Sequence, residues 1–363
     1  MKNTFGNSLT VTLFGESHGE MIGAVIDGIA PGLIIDEDYI AHALTLRRPA
    51  GKISTARQEK DPFRIVSGVF EGKTTGTPLT VLIPNENTKS KDYSATRPLA
   101  RPGHADYTAN CKYHGFEDYR GGGHFSGRIT AALVAAGAIV KKALEDKGIR
   151  IGTHVSRCAG VADRPFGHFL KDFDTLNETA FPVLDEDAAT QMKNAIEAAA
   201  SEGDSVGGIL ETAVLGMPAG VGEPWFDSVE SLLSHALFSI PAVKGVEFGD
   251  GFALADKKGS EANDLFTVYE DSFATKTNHN GGINGGITNA MPILFRTVIK
   301  PTPSIFKPQE TVNFLEKKNA TLTLEGRHDP AIVHRARAVQ DAVTAIVLAD
   351  LLTVRYGTDY LAK

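Results

Sequence analysis

The first residues of the chain alternate between apolar and polar side chains, a pattern that is typical of β-strands. Leu9, Val11 and Leu13 are separated by threonines, and this alternation predicts a strand that ends at Gly15. Apolar segments of similar length predict further strands over residues 21–29, 65–71, 79–83, 209–215 and 292–300. All of them are short enough to pair as hairpins.

Longer segments with helical signals lie between the predicted strands. Asp36 is the expected N-cap of a helix that ends at Arg47, with acidic residues in its first turn and basic residues at its end, as the helix macrodipole favours. Ser126 is the expected cap of a helix over residues 128–147, which is apolar on most faces and is therefore predicted to be central. Further helices are predicted over 185–202, 227–238 and 331–353. This mixture favours an α+β sandwich over regular βαβ winding.

Residues 84–127 are polar, rich in Gly and Pro, and almost without periodicity. Long irregular segments inside a compact domain are usually functional or disordered. The many aromatic and basic residues of this segment argue against disorder, so we expect it to carry functional residues.

Composition narrows the possible functions. Glycine accounts for 37 of the 363 residues, about a tenth and above the usual ~7%, and no low-complexity tract explains the excess. The formal net charge of −7 argues against general nucleic-acid binding, which depends on clustered Lys and Arg. Basic residues are nevertheless concentrated between Arg47 and Lys60 and beside glycine-bearing turns. We therefore expect a small anionic ligand.

The sequence does not predict a membrane protein or a secreted one. The longest apolar stretch, residues 129–140, is shorter than the ~20 residues that a transmembrane helix needs. The first residues lack the features of a signal peptide, so the expected location is the cytoplasm. Cys111 and Cys158 are too few for a disulfide framework or a closed zinc site, and we predict two reduced thiols and no metal.

Several common motifs fail on their spacing. The segment GVFEGKT, residues 68–74, has three residues between the first Gly and the Gly-Lys pair, whereas a P-loop needs four. In GGGHFSG, residues 121–127, Ser126 stands where a GxGxxG motif needs its third Gly, which argues against a Rossmann nicotinamide site. The sequence contains no HExxH motif, which argues against a zinc protease of that class.

Two histidines lie in glycine-bearing loops. His18 is part of GESHG, and His104 follows the Pro-Gly turn in RPGHADYT. Histidine exchanges protons near neutral pH, so both are candidates for acid–base catalysis. The alternative is that each is a hydrogen-bonded structural residue of its turn.

The segment DYRGGGHFSGR, residues 118–128, is the most specific local feature. Three consecutive glycines before a helix leave backbone N–H groups free to bind an anion, and Arg120 and Arg128 flank them. A tight turn with positive φ is the alternative, although one glycine is enough for that. We interpret the segment as a phosphate or cofactor site.

Three later motifs contain further candidates. Residues 278–289, NHNGGINGGITN, combine bare backbone with amide side chains, which suits a planar heterocycle; a flexible loop is the alternative. Residues 300–304, KPTPS, offer Lys300 and two hydroxyl groups to a phosphate. Residues 326–330, GRHDP, place Asp329 directly before a helix, where the local sequence favours an N-cap over a catalytic role.

In this order, GESHG, RPGHADYT, DYRGGG, AVKGVEFGDGF, HNGGINGGIT, KPTPS and GRHDP closely resemble the chorismate synthase family, from Gly15 to at least Arg335. The resemblance implies a single domain over residues 1–363. It also implies a β-α-β-α sandwich in which antiparallel sheets surround central helices, assembled as a homotetramer.

The resemblance also implies an activity. Members of the family are carbon–oxygen lyases that convert 5-enolpyruvylshikimate 3-phosphate into chorismate and phosphate, the last step of the shikimate pathway to aromatic amino acids. The reaction is a trans-1,4 elimination that needs reduced FMN without net redox change. NADPH or an external flavin reductase would reduce the flavin.

Matching the motifs residue by residue assigns roles. His18 would protonate the reduced flavin, His104 would assist the departing phosphate, and Asp329 would relay the substrate proton. The substrate anions would be bound by Arg47, Lys52, Arg101, Arg128 and Arg335. The flavin would be bound by His124, Phe125, Ser126, Pro241, Ala242, Gly285, Lys300, Pro301, Thr302, Pro303, Ser304 and Arg327.

This chain departs from the family pattern in two places. A common form reads RSSAR after the three glycines, where this chain has His124, Phe125, Ser126, Gly127 and Arg128. Lys52 stands where many relatives have arginine.

Two other classes of function remain open on the residues alone. A phosphoryl-transfer enzyme would use the same Gly and Arg clusters and bind Mg²⁺-nucleotide, and the missing P-loop counts against it. A non-catalytic flavin or phosphoanion-binding module would bind the ligand without acid–base chemistry at the histidines.

Overall fold

The computed structural model describes residues 2–49, 51, 53–54, 60–86, 97–324 and 329–362. Its α-helices are α1 (Glu37–Arg47), α2 (Asp106–Tyr113), α3 (Thr130–Asp146), α4 (Phe169–Glu178), α5 (Glu186–Ser201), α6 (Val229–Leu237), α7 (Gly259–Ala262) and α8 (Val333–Tyr356). Short 3₁₀ segments cover Arg120–Phe125, Gly127–Ile129, Trp225–Asp227, Gly251–Asp256 and Thr358–Leu361.

The strands lie mostly before α1, between α1 and α2, and between α3 and α8. The first group is β1 (Thr4–Phe5), β2 (Thr10–Gly15), β3 (Met21–Asp27), β4 (Arg64–Ser67), β5 (Val69–Phe70), β6 (Lys73–Thr74) and β7 (Leu79–Pro84). The second is β8 (Arg150–Cys158), β9 (Val161–Ala162), β10 (Gly208–Leu215), β11 (Val243–Phe248), β12 (Phe266–Tyr269), β13 (Ser272–Thr275), β14 (Ile283–Asn284), β15 (Ile287–Thr288), β16 (Ile293–Ile299), β17 (Gln309–Asn313) and β18 (Lys318–Leu322).

Two antiparallel sheets contain most of these strands. The N-terminal sheet has the strand order β1-β2-β3-β7-β4, and the C-terminal sheet has the order β11-β16-β10-β8-β9. Each neighbouring pair in both sheets is antiparallel. The pairs β5–β6, β12–β13, β14–β15 and β17–β18 are separate hairpins.

Helices α3 and α8 form the centre of the core. Nearly every residue of α3 up to Leu144 is buried, and so is nearly every residue of α8 up to Thr353. The two helices contact each other, α3 contacts β3 and β7, and α8 contacts β8 and β10. A helix that is apolar on all sides needs such surroundings. The α+β class and the central position of the 128–147 helix are confirmed.

The close approach of α3 and α8 depends on Gly137. A Cβ built on Gly137 would lie 2.3 Å from the Cβ of Ala342 and 2.6 Å from its Cα. Both helices also contain buried alanines near this point, including Ala138 and Ala345. Small residues therefore set the distance between the two helix axes.

A buried polar network attaches α8 to the C-terminal sheet. Thr153 donates to Asp341 at 2.6 Å, and its hydroxyl lies 2.6 Å from the hydroxyl of Thr212. Gln340 donates to Thr212 at 2.7 Å and accepts from Thr297 at 2.5 Å. Because buried polar groups without partners are costly, the network fixes the position of α8 along β8, β10 and β16.

Asp350 connects the far part of α8 to the first residues of the chain. Its carboxylate accepts the backbone N–H groups of Asn7 at 2.9 Å, Ser8 at 2.7 Å and Leu9 at 2.9 Å. Asp350 is 1% exposed, so these N–H groups satisfy a buried anion. The entry into β2 is thereby fixed to the core.

Most predicted elements are confirmed. Asp36 accepts from the N–H of Tyr39 at 2.9 Å and Asp185 accepts from the N–H of Ala188 at 2.8 Å, as helix N-caps do. Ser126 caps the 3₁₀ turn that leads into α3. The predicted helix over 227–238 begins later, at Val229, and its cap is Ser228.

Two predictions are corrected. The predicted strand over 65–71 is divided at Gly68, whose φ is +82° and whose Cβ would lie 2.5 Å from the Cα of Leu79. Residues 84–127 are not irregular throughout, because they contain α2. The segment GVFEGKT forms the β5–β6 hairpin, with Gly72 in its turn, and this agrees with rejecting a P-loop.

Across the described ranges, no helix is both long enough and apolar enough to span a bilayer.

We predict that Gly137→Ala destabilises the protein by about 1–2 kcal/mol. A Cβ only 2.3 Å from that of Ala342 places the overpacking cost in the upper part of the usual range, at ~2–3 kcal/mol, against the ~1 kcal/mol that Ala contributes to helix propensity over Gly. Urea unfolding of both proteins measures the difference. Gly259→Ala, at a site where a Cβ meets nothing within 4 Å, is the control and should not destabilise. Equal or greater stability of Gly137→Ala would contradict the close-contact interpretation.

Candidate active site

A cavity of about 980 Å³ brings together most of the residues that the sequence motifs predicted. Its walls come from the N-terminal sheet, the triple-glycine turn, the start of α8, and the segments around residues 240 and 302. The predicted residues that line it are Arg47, His104, His124, Phe125, Ser126, Arg128, Pro241, Ala242, Lys300, Thr302, Pro303, Ser304, Asp329 and Arg335. These residues are separated by up to nearly 300 positions in sequence, and only the fold makes them neighbours.

The remaining predicted residues have other positions. His18, Arg101, Pro301 and Gly285 are described but do not line this cavity. Lys52 and Arg327 lie outside the described residues.

The triple-glycine turn supports both candidate histidines. Gly121, Gly122 and Gly123 have φ values of 58°, 83° and 54°. A Cβ on Gly121 would lie 2.5 Å from the His18 ring, and one on Gly122 would lie 3.3 Å from the His104 ring. A Cβ on Gly123 would lie 1.9 Å from the carbonyl oxygen of Asp118. All three positions therefore favour glycine, as the tight-turn alternative expects, and the premise that one glycine is enough for the turn is wrong.

The backbone of this turn is partly used within the protein. The N–H of Gly122 donates to the carbonyl of Tyr119 at 3.3 Å, and the carbonyl of Gly123 accepts from the N–H of Ser17 at 3.0 Å. The turn thus packs against both histidine rings, and its remaining backbone N–H groups are candidates for binding an anion. His18, 8% exposed, lies behind Gly121.

His104 contacts a carboxylate that the sequence analysis did not select. Its Nδ1 lies 3.0 Å from Oδ1 of Asp106. Arg101 binds the same carboxylate through two side-chain nitrogens, at 2.8 and 2.7 Å. Burial alone would raise the pKa of Asp106, but hydrogen bonds from Arg101 and His104 hold that pKa well below its usual range. In the motif RPGHAD, Asp106 lies two positions after His104, and this spacing is the sequence signal that could have indicated the contact.

Arg47 and Arg128 share a second carboxylate, that of Asp61. Arg47 Nη1 lies 3.5 Å from Oδ2 of Asp61, and Arg128 Nη1 donates to its Oδ1. The Asp61 side chain is fully buried. The local sequence gives no sign that Asp61 is a site residue, because its partner Arg128 lies 67 positions away.

Neutral acceptors fix the remaining nitrogens of these arginines. Arg47 donates to the hydroxyl of Thr130 at 2.9 Å and to the carbonyl of Gly127 at 2.8 Å. Arg128 donates to the side chain of Asn85 at 2.9 Å and to the carbonyl of Pro84 at 3.0 Å. Both guanidinium planes are therefore held in place before a ligand binds.

Arg335 and Asp329 extend the same wall. Arg335 donates through Nη1 to Asp329 at 2.8 Å and through Nε to the carbonyl of Arg47 at 2.9 Å. The N-cap of α8 is Ile332. The prediction of Asp329 as an N-cap is therefore wrong, and its carboxylate instead pairs with a cavity arginine.

A different part of the cavity suits a phosphate-bearing aromatic group. Lys300 donates through Nζ to the carbonyl of Gly103, which joins the KPTPS segment to the loop of His104. The hydroxyl oxygen of Thr302 is buried and has no hydrogen-bond partner among the described residues. Apolar side chains of α8, including Val339 and Val343, line the same cavity. A buried hydroxyl without a partner beside a lysine and apolar walls fits a bound cofactor.

His124 and Phe125 take definite positions at this cavity. Nδ1 of His124 lies 2.8 Å from the carbonyl oxygen of Gly15, to which it can donate. Phe125 is 38% exposed, and its ring centroid lies 6.1 Å from that of Tyr113. His124 therefore connects the end of β2 to the turn that precedes α3.

The glycine pairs of residues 281–286 are needed for the backbone conformation, at a tight turn and at a close approach between two backbone segments. Gly285 and Gly286, with φ of 61° and 86°, form the two-residue turn between β14 and β15, as hairpins with two left-handed residues require. A Cβ on Gly281 would lie 2.5 Å from the backbone nitrogen of Gly249. This segment is a paired hairpin, so the flexible-loop alternative is wrong.

Within the described part of the chain, no three or more His, Cys, Asp or Glu residues are grouped so that they could hold a metal ion.

Comparisons with known proteins agree with one another. A family model described as chorismate synthase matches residues 9–353. Chorismate synthase of Pyrococcus abyssi (strain GE5 / Orsay) is 47% identical over 350 residues, covering 96% of this chain and 97% of the relative. Chorismate synthase of Aeropyrum pernix is 45% identical over 355 residues, covering 98% of this chain and 93% of the relative.

A solved structure is also similar. The chain described as "Crystal Structure of Chorismate Synthase" superposes with a TM-score of 0.76 at 30% identity, covering 99% of this chain and 95% of that one. Together these findings place the protein among enzymes rather than among non-catalytic binding modules. The chain belongs to the chorismate synthase family.

We predict that Asp61→Asn tightens the binding of inorganic phosphate about tenfold, or ~1.4 kcal/mol. The substitution removes the anion that competes for Arg47 and Arg128 while leaving their neutral acceptors in place. Isothermal titration calorimetry measures the affinity, and thermal unfolding checks the fold.

Asp172→Asn is the matched control, because Asp172 is a buried carboxylate that pairs with Arg164 and does not line the cavity. It should leave phosphate affinity unchanged. Weaker phosphate binding by a folded Asp61→Asn protein would show that Asp61 supports the anion site instead of competing with it.

Proposed function

We propose that this protein converts 5-enolpyruvylshikimate 3-phosphate into chorismate and inorganic phosphate by trans-1,4 elimination, using reduced FMN. It would be a carbon–oxygen lyase of the shikimate pathway to aromatic amino acids. The observation that carries the proposal is one cavity that combines Arg47, Arg128 and Arg335 with His104 and the Lys300 segment. Family membership supports the same activity.

The arginines suit the charges of this substrate, which has two carboxylates and a phosphate. Arginine binds such groups through two parallel hydrogen bonds, which fix orientation as well as position. Arg47, Arg128 and Arg335 are held by neighbouring side chains and backbone, so little ordering is needed on binding. Lys52 is proposed to add a further cation.

Arg101 has a different proposed role. Its Nε and Nη2 atoms bind Asp106, and its side chain does not line the cavity. We therefore propose that it acts through that carboxylate, whereas the motif match alone assigned it to the substrate.

Reduced FMN, when bound, supplies electron density to the substrate as phosphate leaves. We propose that it is held by His124, Phe125, Ser126, Pro241, Ala242, Lys300, Thr302, Pro303 and Ser304, all of which line the cavity. Lys300 would stabilise an anionic cofactor, and the hydroxyl of Thr302 would gain its missing hydrogen bond. Gly285, Pro301 and Arg327 are assigned only by the motif match.

Two of the three proposed acid–base residues line the cavity, and the third lies next to the triple-glycine turn. His104 lines the cavity and can donate a proton from Nε2 to an oxygen of the departing phosphate. His18 lies behind Gly121 and is proposed to hold the proton for the reduced flavin. Asp329 lines the cavity beside Arg335 and is proposed to relay the proton lost from the substrate.

We also propose the finer architecture and assembly of the family for this protein. The contacts of α3 and α8 with opposite sheets support a single β-α-β-α sandwich domain over residues 1–363. The proposed homotetramer rests on the family resemblance. Exposed aromatic side chains would be available for contacts between subunits; they include Trp225, Phe226, Phe252 and Phe273. A cytoplasmic location, with NADPH or an external flavin reductase as the reductant source, completes the proposal.

We predict that the purified protein, mixed anaerobically with reduced FMN and 5-enolpyruvylshikimate 3-phosphate, releases chorismate and phosphate in equal amounts. Absorbance of chorismate and a phosphate assay measure the two products. If neither product forms, the proposed function is wrong.

His104→Ala and His18→Ala are expected to lower kcat by about 10²-fold or more, since each removes a proton donor. Circular dichroism and flavin binding test whether each variant retains its fold and its cavity. His42→Ala, an exposed histidine of α1, is the control and should retain activity. Normal turnover by either active-site variant would remove that histidine from the mechanism.

A further inference from the structure

Residues 101–106 form a short network in which each group has a defined partner. The backbone N–H and Nε of Arg101 donate to Oδ2 of Asp106, at 3.0 and 2.8 Å, and Nη2 donates to Oδ1 at 2.7 Å. The same Oδ1 lies 3.0 Å from Nδ1 of His104, and Nη2 of Arg101 lies 3.1 Å from that nitrogen. One carboxylate thus connects an arginine to a candidate catalytic histidine.

The chemistry of these groups limits where the His104 proton can be. Arginine has no acceptor, and an ionised carboxylate has no donor. A proton on Nδ1 therefore bonds to Asp106, whereas a bare Nδ1 can only accept from Arg101. Hydrogen bonds from Arg101 and His104 outweigh the burial that would raise the pKa of Asp106, so the carboxylate is ionised and available as an acceptor.

The rest of the surroundings fix the ring itself. Gly122 lies beneath it, at a distance where a Cβ would be 3.3 Å from Cε1 and 3.4 Å from Nε2. Lys300 holds the loop through the carbonyl of Gly103, and Pro303 is adjacent to the same glycine. Nδ1 therefore faces Asp106, and the ring lines the cavity.

We propose that Asp106, anchored by Arg101, is a positioning residue that keeps a proton on Nδ1 of His104 and thereby makes Nε2 the nitrogen that exchanges a proton with the ligand in the cavity. This inference rests on the proposed function. In this proposal Arg101 holds the carboxylate of Asp106 in place and so acts on His104 indirectly.

The proton balance at His104 has three steps. The Nε2 proton of the protonated ring passes to the acceptor atom of the ligand in the cavity. The neutral imidazole that remains keeps its other proton on Nδ1, directed at Asp106. Solvent then returns a proton to Nε2.

The first test reads the tautomer directly and needs neither flavin nor substrate. Protein labelled with ¹⁵N-histidine is recorded by NMR, and the His104 signals are assigned by comparison with His104→Ala. We expect the neutral ring of the wild type to carry its proton on Nδ1. In Asp106→Asn, the amide can also donate to Nδ1, so the Nε2–H form should rise to a large fraction of the neutral population.

The second test separates positioning from substrate binding. Asp106→Asn should lower kcat about 10²-fold or more while KM changes less than about threefold, as expected for a residue that acts on the proton donor. Asp106→Glu keeps the charge and should recover at least about tenfold of the loss. This variant also keeps the test meaningful if the asparagine variant is poorly folded.

A double-mutant cycle tests the role of Arg101. If Arg101 acts through Asp106, the two losses should not add. The double variant Arg101→Gln/Asp106→Asn should then have a kcat within about threefold of that of the more impaired single variant. Additive losses, with a large rise in KM for Arg101→Gln, would instead show that Arg101 binds the substrate and would overturn its assignment here.

Asp163→Asn is the matched control. Asp163 also contacts a histidine, His154, through Nδ1 at 2.7 Å, but the pair lies in the C-terminal sheet outside the cavity. Asp163→Asn should leave kcat within about twofold of the wild-type value.

If Asp106→Asn left both the His104 tautomer and kcat unchanged, the positioning role would be excluded. If the tautomer shifted but the wild type made no chorismate, the proposed function alone would fail.

Discussion

The geometry of the whole cavity depends on three consecutive residues in the left-handed region of backbone conformation. Gly121, Gly122 and Gly123 each approach a different neighbour: the His18 ring, the His104 ring and the carbonyl of Asp118. L-residues with side chains rarely adopt even one such φ, and here a Cβ would also collide at the first and third positions. The turn therefore fixes β2, the loop of residues 101–106 and the start of α3 relative to one another.

Charge compensation is the second general property of the site. Arg47 and Arg128 are paired with Asp61, Arg101 with Asp106, and Arg335 with Asp329. An acidic protein with a net charge of −7 can thus hold several guanidinium groups together without strong mutual repulsion. Binding of an anionic substrate at Arg47, Arg128 or Arg335 would exchange one negative partner for another, so selectivity would depend on geometry more than on total charge.

The sequence predicted elements whose signals are local, and it missed those whose cause is tertiary. The caps at Asp36 and Asp185 and the apolar helix α3 were recognised from neighbouring residues. Helix α2 was missed because its residues, DYTANCKY, are mostly polar and have little apolar periodicity. His104, Arg128 and Lys300 were selected from local motifs, whereas Pro241 and Ala242 came only from the family resemblance. Asp61 was missed because its partner Arg128 lies 67 positions away in the sequence. Asp106 lies only two positions after His104, but the sequence does not show that the two side chains are in contact.

The carboxylate of Asp350 has a consequence for the order in which the protein is made. It accepts the backbone N–H groups that lead into β2, and the pairs are separated by more than 340 positions. During synthesis on the ribosome, the first strand leaves the exit tunnel long before its acceptor exists. The entry to β2 can reach its final structure only after α8 has emerged, so native closure of the core is a late event in folding.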